Sequence, residues 1–155
     1  MSDREKLYGI IGFLLKNYFK ELQNIPIDVA WDNREDCFAY VFPSFFSWNK
    51  FTIYVNRNVF IRLNRSQRIG LMAHELSHIL RQPNRILFIA QTLWVGISQR
   101  RLSKDERETD LLVIEKGCGE YLFELVKYHD KVYEKYTCED GLTKKEIKQI
   151  LKAKL

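Results

Sequence analysis

Cysteine is scarce in this chain: its 155 residues include three, Cys37, Cys118 and Cys138. They are too few and too far apart for a disulfide framework or a zinc-ribbon set, and their odd number leaves one unpaired. A reducing compartment fits that usage. Long apolar runs are missing too. The most apolar stretch, Ile86 to Ile97, is about a dozen residues broken by Gln91, short of the ~20 that a membrane-crossing helix needs. The chain does not open with a basic segment followed by a cleavable apolar core, so the expectation is a soluble, cytoplasmic protein that does not span a membrane. Internal repeats, low-complexity segments and interdomain linkers are also absent, and the length suits one domain over residues 1–155.

What is present divides into short strands and amphipathic helices. Ser2-x-x-Glu5 is a capping box opening a helix whose apolar positions, Leu7 to Leu22, keep helical spacing to about residue 23, with Pro26 beyond it. Ile27 to Trp31, Cys37 to Phe42 and Phe51 to Val55 are β-branched and aromatic runs that predict strands. A helix follows from Asn64 or Ser66 to Pro83-Asn84, then an apolar helix over about 85–98 and another starting at Ser103-x-x-Glu106. Gly117 and Gly119 interrupt or end that one. A helix over about 120–136 and a last one capped by Thr143-x-x-Glu146 complete the chain. The expected fold is α+β: a small antiparallel or mixed sheet of about three strands packed with several helices.

Within the second predicted helix lies His74-Glu75-Leu76-Ser77-His78, in a chain with three histidines and twelve glutamates. H-E-x-x-H sets two imidazoles one turn apart on one helical face with a carboxylate beside them, which is how many zinc hydrolase sites begin. Ile69, Met72, Ala73, Leu76, Ile79 and Leu80 mark the core side of this helix. Gly70, His74, Ser77, His78 and Arg81 share the other, so the imidazoles are expected to face a cleft. The plainer alternative is a pair of core-edge histidines on an ordinary amphipathic helix.

Two imidazoles leave a zinc ion poorly held, so a third ligand is required. His129 stands far downstream with no local pattern tying it to a metal. Glu106 and Asp110, four apart, share a face, while Glu108 points away from them. The spacing favours Glu106 as ligand and Asp110 as the acceptor that fixes an imidazole tautomer, with Glu108 in reserve. Glu106 could instead complete a capping box after Ser103.

Ala73-His74-Glu75-Leu76-Ser77-His78 and Glu106-Arg107-Glu108-Thr109-Asp110 resemble the zinc helix and the E-x-x-x-D element of gluzincin metallopeptidases. Ile53-Tyr54-Val55-Asn56 before the helix, and Ser103 to Gly119 after it, extend the resemblance over about residues 51–120. It is nearest to the small soluble archaeal minigluzincins, which resemble pared-down catalytic domains of the HtpX and CAAX-protease group. Thr109 departs from that pattern, where alanine is usual before the Asp. The resemblance implies a zincin-like fold. It also implies latency conferred by C-terminal residues, here a possible regulatory segment over 137–155; a Cys138 thiolate at the metal is the sharpest version of that idea.

On these residues the expected activity is a zinc metalloendopeptidase with one Zn²⁺ per chain, held by His74, His78 and Glu106, with Glu75 as general base. Tyr121, Tyr128 and His129 are candidate oxyanion donors. The expected substrate is an extended peptide or protein, added along an exposed edge strand made of Phe51, Thr52, Ile53, Tyr54 and Val55. Lys plus Arg exceed Asp plus Glu by 25 − 20 = 5, a scattered basic excess without helix-turn-helix or aromatic–basic interleaving, so specific nucleic-acid binding is not expected. The sequence leaves homo-oligomerisation open. The alternative function is a stress-response or nucleic-acid-associated factor with a metal-binding but non-proteolytic domain; a catalytically idle, metal-stabilised scaffold is a third, and Glu75 would be superfluous in it.

Overall fold

A computed structural model describes residues 2–33, 37–44, 50–95, 98–132 and 141–154. The first helix, α1 (Asp3–Asn17), starts from the anticipated Ser2–Glu5 capping box and buries Leu7, Ile11 and Leu14. It stops before residue 23. The N–H groups of Tyr18 and Phe19 both turn back to the Leu14 carbonyl, and a single 3-10 turn at Lys20–Leu22 follows, which drives Phe19 and Leu22 fully into the core.

Strands β1 (Ile27–Asp32), β2 (Ala39–Pro43) and β3 (Phe51–Asn56) form a mixed sheet in the order β1-β3-β2. β3 runs parallel to β1, Ile27 opposite Phe51, and antiparallel to β2, Val55 opposite Ala39. This corrects the expected edge strand: Phe51, Thr52, Ile53, Tyr54 and Val55 occupy the centre, with ladder partners on both sides. Phe51, Ile53 and Val55 are wholly buried, and the most apolar strand takes the position where both its flanks are covered. Among the described residues the edges of this sheet are β1 and β2.

Asn56 ends β3 and caps a short helix, α2 (Arg57–Phe60), through its side chain and the Val59 N–H. Asn64, rather than Ser66, then opens α3 (Arg65–Arg81) in a reciprocal capping box with Gln67. Ile69, Met72, Ala73, Leu76 and Ile79 are buried as the periodicity predicts, and α3 packs against β2, α1, α5 and α6. The remaining helices are α4 (Arg85–Val95), α5 (Gln99–Glu115), α6 (Gly119–Val132) and α7 (Lys144–Ala153).

Two details place the site. The face of α3 that carries the histidines is largely roofed, not an open cleft: Gly70 and Ser77 on it are buried. A Cβ at Gly70 would overlap the Tyr121 carbonyl, so only glycine lets α6 approach this closely. Second, α5 begins at Gln99, four residues before Ser103, so Ser103 lies inside the helix and caps nothing. The helix ends at Gly117, whose positive φ supports a Schellman turn in which the Cys118 and Gly117 N–H groups reach the Val113 and Ile114 carbonyls. Among the described residues, no helix is long and apolar enough to cross a membrane.

Candidate metal centre

His74 and His78 sit one turn apart in the C-terminal half of α3, and Glu106 comes from just before the midpoint of α5, which lies alongside. All three side chains are mostly buried and converge. Nε2 of His74 is 3.1 Å from Nε2 of His78 and 3.0 Å from Oε2 of Glu106, while Nε2 of His78 is 3.6 Å from Oε1 of Glu106. A tetrahedral ion with bonds of about 2.0–2.1 Å separates its ligand atoms by ~3.3 Å; the two imidazole nitrogens stand close to that spacing, and each faces a different oxygen of Glu106. Each residue offers one ligand atom, with all such atoms within 4.8 Å of one another.

Hydrogen bonding on the far side of each ring decides what faces inward. Nδ1 of His74 lies 2.9 Å from Oδ1 of Asp110, a carboxylate that can only accept, so the ring's proton belongs on Nδ1. Thr109 donates its hydroxyl proton to the Asp105 carbonyl at 3.0 Å, leaving its lone pairs to accept from Nη1 of Arg81 at 2.8 Å and from Nδ1 of His78 at 3.3 Å. His78 is thereby assigned the same tautomer. Two bare Nε2 lone pairs and an anionic carboxylate then point at one spot, a donor set that repels itself unless a cation joins it.

Burial alone would lower the pKa of His74, but the carboxylates of Asp110 and Glu106 outweigh it and hold the imidazole well above its usual value. Burial would likewise raise Glu106, yet its contacts with the two imidazoles keep it well below the ordinary carboxylate range. The pair of shifts describes one arrangement: an anion and a cation site sharing a pocket.

Glu75 completes the set differently. It is buried, Oε2 has no hydrogen-bond partner, and burial raises its pKa despite the opposing pull of His74 and His78. An unpartnered buried carboxylate oxygen is costly to keep for packing alone. Glu108, the reserve ligand, is turned outward to Arg81 and Lys104, and the capping alternative for Glu106 fails with the position of Ser103.

Tyr121 faces Tyr18, and the rings of Tyr128 and His129 pack on Phe38 before β2. Neither tyrosine hydrogen-bonds to the histidine–glutamate cluster. Cys138 lies outside the described residues. The described part of the C-terminal segment, 141–154, meets the site from behind: the Leu142 N–H donates to Oδ2 of Asp110 at 2.8 Å, and a Cβ at Gly141 would overlap that oxygen. Arg107 of α5 grips Glu146 of α7 with both guanidinium nitrogens, at 2.6 and 3.2 Å, while Ile147 is buried below.

Thr109, Asp105 and Arg81 are the contributors that sequence reasoning missed. Arg81 pairs with Asp105 at 2.8 Å and with Glu108 at 2.7 Å, pinning α5 to the end of α3. A signal existed for Thr109, since Glu106, Thr109 and Asp110 fall at i, i+3 and i+4 on one helical face. No protein-family model, no curated protein and no solved structure matches this chain.

Proposed function

We propose that this chain is a zinc-dependent metallopeptidase. The observation that carries the reading is the grouping of His74, His78 and the Glu106 carboxylate, with one possible ligand atom from each within 4.8 Å of the others, next in sequence to the buried Glu75, whose Oε2 has no hydrogen-bond partner. Three ligands from the protein suit a catalytic zinc, whereas structural zinc takes four, and a set of two nitrogens and one oxygen suits that ion's preferences. A divalent ion bound there supplies Lewis acidity, which polarises a peptide carbonyl and acidifies water.

The chain's own groups perform the rest. His74, His78 and Glu106 would hold the ion, and Asp110 and Thr109 keep both imidazoles in the tautomer that leaves Nε2 bare. Glu75 is the proton carrier: with its pKa raised by burial, its carboxylate accepts a proton from water and passes it to the departing amine. Placed next to the ligands along the helix but not among them, it serves that task without occupying the ion.

The test pairs metal content with turnover. Wild-type protein and Glu108→Ala should carry one zinc per chain, and His78→Ala should carry none. Glu75→Gln should keep its zinc while hydrolysis of unstructured peptides disappears. Wild-type protein that takes up no zinc at neutral pH, or a Glu75→Gln variant that cleaves as well as wild type, would end the proposal.

A further inference from the structure

The helix between the two halves of the metal centre, α4, carries a surface that its interior contacts leave uncovered. Large exposed hydrophobics among the described residues number eight, and four of them belong to this 11-residue helix: Leu93 at 70 %, Ile86 at 62 %, Trp94 at 57 % and Leu87 at 56 %. At 100° per residue, Leu93, Ile86, Ala90, Trp94 and Leu87 fall in that order within an arc of about 120° that contains no polar residue. The opposite side is anchored: Phe88 is buried with its ring 5.4 Å from that of Phe51, and Gln91 donates to Asp105. The outward apolar face is therefore the one that packing leaves over, and it belongs to a helix held in place.

The sequence flanking this ridge carries charge of one sign. From Gln82 to Lys104 the sequence contains Arg85, Arg100, Arg101 and Lys104 and no Asp or Glu. Arg101 crosses from α5 to lie over the Trp94 ring, 4.2 Å from its centroid, and reaches the Trp94 carbonyl at 3.4 Å. Lys104, one turn further on, is largely exposed and pairs with Glu108 at 3.8 Å. Exposures above one half mean that these side chains project and do not line a groove. A projecting apolar ridge with tryptophan and a rim of cations is the pattern of a helix that lies in the headgroup region of a bilayer, apolar side down, its basic residues against acidic lipid.

We propose that α4 is a membrane-docking face, and that its occupant is an anionic lipid surface. A second copy of the chain is disfavoured by the rim, because an isologous pairing would bring these cations against each other. The inference stands without the metal centre. It has a consequence for it all the same: Gln91 bonds Asp105, whose other oxygen lies 4.0 Å from Nδ1 of His78, so the docking helix is joined to the ligand shell by one side chain.

Co-sedimentation with vesicles tests it, using phosphatidylcholine alone and phosphatidylcholine with about 30 % phosphatidylglycerol, at low and high salt. Wild-type protein should partition at least ten-fold more strongly onto the anionic vesicles, and salt should reduce that binding. Leu93→Glu with Trp94→Glu should lose it, and Arg100→Gln with Arg101→Gln should lose the preference for anionic lipid. All four positions are exposed or at the rim, so zinc content and circular dichroism should match wild type, which separates lost docking from lost folding. Equal binding to both vesicles, binding unchanged in the Leu93/Trp94 variant, or no binding to either would overturn the proposal. So would sedimentation showing a dimer that the same apolar substitutions dissociate.

Discussion

His74 and His78 face the same point, yet the regions that hold them are built from different materials. Behind His74 stands Asp110, a buried anion that also fastens Leu142 of the C-terminal segment. Behind His78 stands Thr109, a neutral hydroxyl shared with Arg81 and the Asp105 carbonyl. One imidazole is thus oriented by a charge whose position depends on a distant part of the chain, and the other by a dipole supplied by α5 and the end of α3. In the proposed centre equal roles do not require equal support, and the charged side should carry more of the affinity.

Removing a ligand is the outer bound for that comparison. Glu106→Ala should abolish stoichiometric zinc, as measured by elemental analysis after gel filtration, because two imidazoles alone leave the ion's geometry open. Retention of a full equivalent would mean that the contrast behind the rings concerns some other property. Asp110→Asn comes next. The His74 Nδ1–H and the Leu142 N–H address different oxygens, and the amide sets an NH2 donor against one of them, so affinity in a chelator competition should fall by about 10- to 100-fold.

Thr109→Val sharpens the contrast by keeping the shape and deleting the hydroxyl. A neutral hydrogen bond is worth about 0.5–1.5 kcal/mol, so a loss of roughly 3- to 10-fold in zinc affinity is expected. If Thr109→Val proved as damaging as Asp110→Asn, the proposed asymmetry would be wrong.

The smallest effect concerns how the C-terminal segment is held to the Asp110 side. Arg107 keeps the Glu146 carboxyl down at about 2, against a usual 4.5. Because the folded value lies below the unfolded one, the pair stabilises the fold above pH 4.5 and ceases to as pH falls towards 2. Solvent screens a pair this exposed, leaving about 0.5 kcal/mol. Glu146→Gln should therefore melt slightly lower than wild type at pH 6, and the two melting curves should merge near pH 2. A gap that stays constant with pH would remove the ion pair from the explanation.

Much of this was legible in the sequence because the relevant forces are local. The helix bearing His74 and His78, its core side and its Asn64 cap follow from periodicity and capping, both of which act within a few residues. That Glu106 and Asp110 share a face, from which both reach His74, follows from the same local geometry. The start of α5 was misplaced because Ser98 makes no side-chain cap bond, whereas Ser103 and Glu106 have the right spacing for a box they do not form. β3 was misassigned to an edge because strand order depends on contacts between remote segments, and no short window records them. Arg81 was similarly out of reach: its partners lie 24 to 28 positions away.

The order of the sheet has one more consequence, for how the molecule comes into being. β1 and β2 share no ladder, and the strand that unites them is the last of the three to leave the ribosome. A nascent chain that ends before Phe51 has no pairing between these strands to make, so its two unmatched strands must wait. When β3 arrives, α2 and α3 follow directly behind it. Closure of the sheet and birth of the imidazole-bearing helix are therefore neighbouring moments of synthesis, and an emerging chain gains its scaffold and the first two of its candidate ligands almost together.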